Sequence, residues 1–180
     1  GKYVYGKLQK GIAAYSSSNK NFEIGDANLY APVRIDFTGT ITTAGSITAF
    51  TTPGDHPNIG TSGIDPSYSV NRYWTLTNNG VAGFTSFSAT FNFNPEDLDA
   101  GTDYDYFLVK KYLASSWSAP AIGTRTSTST QATGITTFGD FQIGQCTVPS
   151  SAGAISGTSS PCKETSGLTY SVANAGGITY

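Results

Sequence analysis

The sequence predicts an all-β protein: an antiparallel β-sandwich followed by the first strands of a second, incomplete module. Three observations predict it. Roughly a quarter of the residues are Ser or Thr, alongside 21 Gly and 11 Tyr. β-Branched and aromatic side chains suit pleated surfaces, and Gly supplies the positive φ of tight turns. The runs of Ala, Leu, Glu and Lys that build long helices are missing, so no helix of three turns is expected. Short alternating segments recur between Gly- and Pro-rich turns, about nine or ten before residue 145, which implies half-buried strands in antiparallel sheets packed face to face.

The strands follow in order. YVYGKLQ opens the chain, and NFEIGD follows the polar stretch SSSNKN. VRIDFTG places Val33, Ile35 and Phe37 on one face and Arg34 and Asp36 on the other. SITAFTT follows the turn TTAG, which predicts a hairpin. PGDHPNIGTSGIDPSYS is too rich in Pro and Gly for a strand and reads as the longest loop. VNRYWTLTN sets Tyr73, Thr75 and Thr77 opposite Trp74 and Leu76, and SFSATFNFN aligns Phe87, Ala89, Phe91 and Phe93. YFLVKKYL, the short SSWSAP and TQATGITTFGDFQIG complete the first domain, residues 1–145. Residues 146–180 read as a linker and the opening strands of the next module.

With 180 residues the chain holds one domain, or one and part of another. Charged residues are 12% of the chain and the net charge is −2, so no basic surface points to nucleic acid or to an acidic membrane. No apolar run approaches the roughly 20 residues that cross a bilayer, and no membrane span is expected. With neither a methionine nor a signal peptide, the chain reads as an excised part of a longer secreted precursor.

A catalytic centre is not evident. The single histidine, His56, lies in GDHPN beside Asp55, but neighbours on an extended chain point apart. The expectation is a loop histidine hydrogen-bonded to backbone rather than the base of a Ser–His pair. Two cysteines sixteen positions apart and one histidine supply neither the count nor the spacing of a zinc site. The glycines form no phosphate-binding loop. Paired carboxylates for glycoside cleavage require spatial information that strand sequences lack. No catalytic residue is assigned.

The loop NPEDLDAGTDYDYF is the most chemical stretch. Asp97, Asp99, Asp103 and Asp105 alternate around Gly101, as oxygen ligands do in calcium loops, and calcium is the cofactor this spacing raises. The alternative is an Asp/Gly turn whose side chains cap backbone N–H groups. Among the aromatics Tyr73, Trp74, Tyr104, Tyr106, Tyr112 and Trp117, a stacking platform for glycans would need several on one exposed face. Trp74, alternating with Leu76, is expected in the core. Trp117, Tyr112 and Tyr104 are the candidates for ligand contact.

YVYGKLQK, NFEIGD with YAPVRIDF, TTPGDHPNI, VNRYWTLTN, ATFNFNPEDLDAG, FLVKKYL with Trp117, and ITTFGDFQIG together resemble a module of large secreted surface proteins of the Bacteroidetes. Those proteins carry PKD-like or hyalin-type repeats and are clients of type IX secretion. The resemblance spans residues 1 to about 145, with NRYWTLTN and FGDFQIG its most specific pieces. From Val148 onward, AGAISGTSSPCKETSGLTYSVANAGGITY resembles the start of a PKD-like, immunoglobulin-like repeat. The resemblance implies an extracellular or cell-surface, adhesin-like protein and names neither ligand nor catalytic residue.

In an oxidising exterior, Cys146 and Cys162 would close a loop of about 15 residues, stabilising by roughly 3 kcal/mol in the chain-entropy model. The alternative partner for either is a cysteine beyond Tyr180. An incomplete second module exposes a strand edge, so the expected partners are the next module of the same chain or further copies joined by strand addition, as in a filament. Surface glycans are the other expected partner. Three function classes result: a structural or adhesive module, a glycan- or protein-binding module, and an accessory part of a secreted hydrolase.

Overall fold

Alternation of apolar and polar side chains lets a strand bury one face only, and two such sheets cover each other. The computed structural model describes residues 2–15 and 19–147, with the backbone of two short strands beyond them. The strands are β1 (Val4–Tyr5), β2 (Leu8–Ile12), β3 (Asn19–Phe22), β4 (Ile24–Gly25), β5 (Val33–Thr38), β6 (Gly45–Pro53) and β7 (Ile64–Asn79). They continue with β8 (Ser86–Asn92), β9 (Leu108–Leu113), β10 (Ser116–Ser118), β11 (Ala121–Thr126), β12 (Ser129–Ile135) and β13 (Gly139–Cys146). Among the described residues the only helical turns are three short 3₁₀ segments.

One sheet has six strands in the order β10-β9-β13-β7-β6-β2, the other five in the order β11-β12-β8-β5-β3. Every neighbouring pair in both sheets is antiparallel. A two-residue parallel pair, β1 with β4, stands beside them. The chain passes repeatedly between the sheets, so the sandwich is closed by long-range pairing rather than by hairpins alone.

The core follows the predicted alternation. Val33 and Ile35 on β5, Phe87, Ala89 and Phe91 on β8, and Trp74 and Leu76 on β7 are buried. Trp74 packs on Phe91 with ring centroids 5.2 Å apart, and Phe91 on Phe141 at 5.0 Å. The Trp74 indole N–H donates to the Ala31 carbonyl at 3.0 Å, so its one polar atom is satisfied.

Two expectations are corrected, besides the hairpin at TTAG, which does not form because β5 and β6 lie in different sheets. The predicted loop through Ser69 is shorter, because β7 begins at Ile64 and runs for 16 residues. Its first part pairs with β13 through two register shifts, with Gly144 opposite Ser69 and Cys146 opposite Ile64. The shifts leave Pro66 outside the ladder, where its missing N–H costs nothing. Gly144 is required there, since a Cβ would lie 2.5 Å from the Ile64 side chain and 3.0 Å from the Ser69 backbone. Second, AIGTRT, not predicted as a strand, forms the edge strand β11, and TQATGITTFGDFQIG divides between β12 and β13 in different sheets.

The β9–β10 hairpin turns through Ala114 and Ser115, both with positive φ (49° and 63°). Two left-handed central residues define the turn that Asn-Gly favours. The double replacement Ala114→Asn with Ser115→Gly is expected to stabilise the domain by about 1–2 kcal/mol, read as a higher urea midpoint at unchanged slope.

The chain divides into two compact units, Gly1–Cys146 and Thr147–Tyr180. In the second, β14 (Ile155–Ser156) pairs antiparallel with β15 (Ser171–Val172). Cys146 is an exposed free thiol among the described residues, and Cys162 lies outside them.

Candidate functional site

Strand register carries one row of side chains across the outer face of the six-stranded sheet. Trp117 pairs with Tyr112, Tyr112 with Asp140, Asp140 with Thr75, and Thr75 with Phe50. Their strand neighbours Phe141, Trp74 and Leu76 point the other way, into the core. The next row holds Gln142 beside Tyr73. Alternation at period two therefore gathers aromatic and polar groups that lie far apart in the chain.

The loop after β6 folds back over part of this face. Its anchor is His56, only 4% exposed. The ring meets Tyr73, Tyr112 and Trp117 at centroid distances of 5.0, 4.7 and 5.0 Å. Tyr112 and Trp117 are themselves 4.9 Å apart. Nδ1 accepts the Asn58 N–H at 3.1 Å, which places the proton of the neutral ring on Nε2, facing Asp140 Oδ2 at 3.3 Å. The His56 backbone N–H donates to Gln142 Oε1 at 2.9 Å, and Gln142 Nε2 donates to the Val70 carbonyl at 2.8 Å. The Trp117 indole N–H closes the cage on Asn58 O and Thr61 Oγ1, at 3.1 and 3.2 Å.

Both nitrogens of His56 are thus occupied, and among the described residues no Ser or Thr hydroxyl reaches the ring. Ser69 donates instead to Asp55 Oδ1 at 2.5 Å. Burial pushes the Asp55 carboxyl up, against the Ser69 hydrogen bond and with help from the Asp99 charge. Its contribution to stability is therefore complete below the ordinary carboxylate pKa and fades as pH rises through its raised value. Replacing His56 with Ala removes three ring contacts and frees the Asn58 N–H and Asp140. A loss of about 2–3 kcal/mol is expected, with protease cleavage of the loop as the second readout.

At one end of the sheet Arg72 faces inward with Trp74 and is fully buried. It meets Asp97 through two bonds (Nε–Oδ2 3.0 Å, Nη2–Oδ1 2.8 Å), Asp26 Oδ2 at 2.7 Å and Thr51 Oγ1 at 3.1 Å. Burial opposes the Arg72 charge, but the two carboxylates outweigh it and hold the guanidinium above its ordinary range. Burial likewise raises Asp26, yet the Asn28 N–H, Arg72 and the Leu29 N–H outweigh it and leave that carboxyl below its ordinary range. Lys111, inward-facing beside Val109, bonds the Thr137 carbonyl and hydroxyl, and burial lowers its ammonium.

The four aspartates of the acidic loop do not converge. Asp97 is committed to Arg72 and caps the Asn94 N–H at 3.0 Å. Asp99 accepts from the Ser69 N–H at 2.8 Å and from Asn71 at 2.7 Å. Asp103 caps the Asp105 N–H at 3.0 Å. Among the described residues no three His, Cys, Asp or Glu side chains stand close enough to share a metal ion. The geometry is that of the capping alternative.

Of the three aromatic candidates, Trp117 and Tyr112 come together, while Tyr104 sits exposed on a separate 3₁₀ turn. Sequence reasoning missed Asp140 and Gln142 as the partners of His56. The signal was the polar parity of FGDFQIG, which sets both on the face opposite Phe141. Arg72 carried a signal too, sharing parity with Trp74 and Leu76, so that an inward charge demanded buried partners.

The fold and the site define an all-β sandwich with an organised outer sheet face. No family model matches the chain, and no curated protein or solved structure matches it. Among the described residues no helix is long and apolar enough to cross a membrane.

Proposed function

We propose that this chain is a non-enzymatic module of an extracellular or cell-surface protein, structural or adhesive in role, like the Bacteroidetes surface modules its motifs resemble. The observation that supports this is the state of the only histidine. His56 is locked by Asn58 and Asp140 as the peg of a surface loop rather than poised beside a nucleophile. The polar clusters near it are likewise consumed in fastening loops to the sheet. Residues 146–180, with the pair β14–β15, begin a PKD-like repeat in this proposal.

Beads coated with the chain are expected to attach to epithelial or bacterial cells above an albumin control, with no turnover of glycoside or peptide substrates. Absence of attachment, or hydrolysis that follows the pure protein, would sink the proposal. A second reading, a glycan-binding module, is favoured by the contact of Tyr112 with Trp117 on the open face.

A further inference from the structure

The loop after β6 covers only part of the outer face. Beside it an open groove of about 590 Å³ runs over the start of β13, between β7 and β9. That volume lies within the roughly 300–1,000 Å³ of small-molecule sites. Tyr112 and Leu113 form one wall, Thr75, Thr77 and Asn78 the other, with Asp140 between them. No Lys or Arg side chain lines it.

Asp140 is held from behind. Thr75 donates its hydroxyl to Oδ1 at 2.6 Å, and His56 Nε2 faces Oδ2 at 3.3 Å. A carboxylate has about four acceptor positions, so about two remain for a ligand, and the side chain is 30% exposed. Tyr112 is braced by His56 and Trp117, so its half-buried ring is a fixed surface. Thr77 is exposed and offers a hydroxyl, while the Asn78 amide is taken up by the Val81 backbone at 2.8 Å through both its oxygen and its nitrogen. A fixed acceptor pair beside a fixed ring is preorganised, so binding orders few side chains.

We infer that this groove is a binding site for a neutral saccharide. An apolar sugar face lies on Tyr112, vicinal hydroxyls donate to Asp140, and Thr77 completes the polar contacts. The ligand class follows from the lining. A carboxylate without a cation beside it rejects anions and selects hydroxyl donors, while the ring and Leu113 select a ligand with an apolar face. A single carboxylate among neutral groups is a poor match for a polycation. The inference deepens the adhesive proposal above and rests on it.

The test is amide NMR of the full chain with the methyl glycosides of glucose, galactose, mannose and N-acetylglucosamine, each at on the order of 10 mM, where weak sites fill. At least one is expected to shift the Thr75, Thr77, Tyr112 and Asp140 signals. Thr77→Lys, on an exposed side chain, is expected to weaken that binding about tenfold or more at unchanged Tm. Silence from all four sugars overturns the site, as do shifts that Thr77→Lys leaves intact. Stronger shifts of the same amides by n-butylamine overturn it in favour of a basic ligand. Bead attachment that survives Thr77→Lys overturns the saccharide site and leaves the adhesive proposal standing. Sugar shifts without any attachment by the wild-type beads overturn the adhesive proposal alone.

Discussion

Replacing Arg72 with Ala is expected to cost about 3–5 kcal/mol, because it strands two buried carboxylates without their counter-charge. Asp26 and Asp97 are 7% and 4% exposed, and the guanidinium between them is their shared counter-charge. The arrangement also ties two distant pieces of chain to β7. Asp26 caps the Asn28 and Leu29 N–H groups at 2.7 and 2.9 Å, and Asp97 caps Asn94. A urea titration reads the loss directly, and a midpoint equal to wild type would show that the pair carries no net stability.

The same residue sets a pH dependence. Asp26 has its carboxyl held below the ordinary range, so its stabilising share is present above the unfolded-state pKa and is lost as pH falls through the lowered one. Wild type should therefore weaken on acidification below the ordinary carboxylate range. Arg72→Ala should respond in the opposite sense, recovering part of its loss as the orphaned carboxylates take up protons. Parallel pH profiles for the two proteins would contradict this account.

Phe91→Ala is the second large effect, expected at about 3–5 kcal/mol. Phe91 lies on the central strand of the five-stranded sheet, fully buried, and touches Trp74 and Phe141 of the opposite sheet. Truncation leaves a cavity that rigid neighbours on both sheets fill poorly. Loss of the near-ultraviolet circular dichroism of Trp74 should accompany the lowered urea midpoint. A fall below about 1 kcal/mol would mean that the two sheets close over the gap.

The architecture was legible wherever one strand obeyed one rule. β5, β7 and β8 alternate at period two, and the structure buries the predicted members of each except Phe37, which is half-buried near the end of β5. β11 escaped notice because an edge strand buries little, and AIGTRT has scant apolar alternation to betray it. The start of β7 was hidden by Pro66, which two register shifts accommodate and which local sequence alone argues against. At the site, Trp117 and Tyr112 were identified and do meet, but Tyr104 does not join them. The aspartates of the acidic loop had the spacing of ligands and instead serve Arg72, Ser69, Asn71 and their own turns.

The sequence by itself determined that this chain is β-rich, which faces of its main strands turn inward, and that its few charges leave no basic surface. Those properties are local, since propensity and period two act within a handful of residues. Only the tertiary structure decided which outward residues stand side by side. His56, Asp140 and Tyr112 meet because the register of β13 against β7 and β9, and the return of one loop over the sheet, bring them together across 28 to 84 positions of chain. Register is a property of pairing between strands, and no single strand carries it.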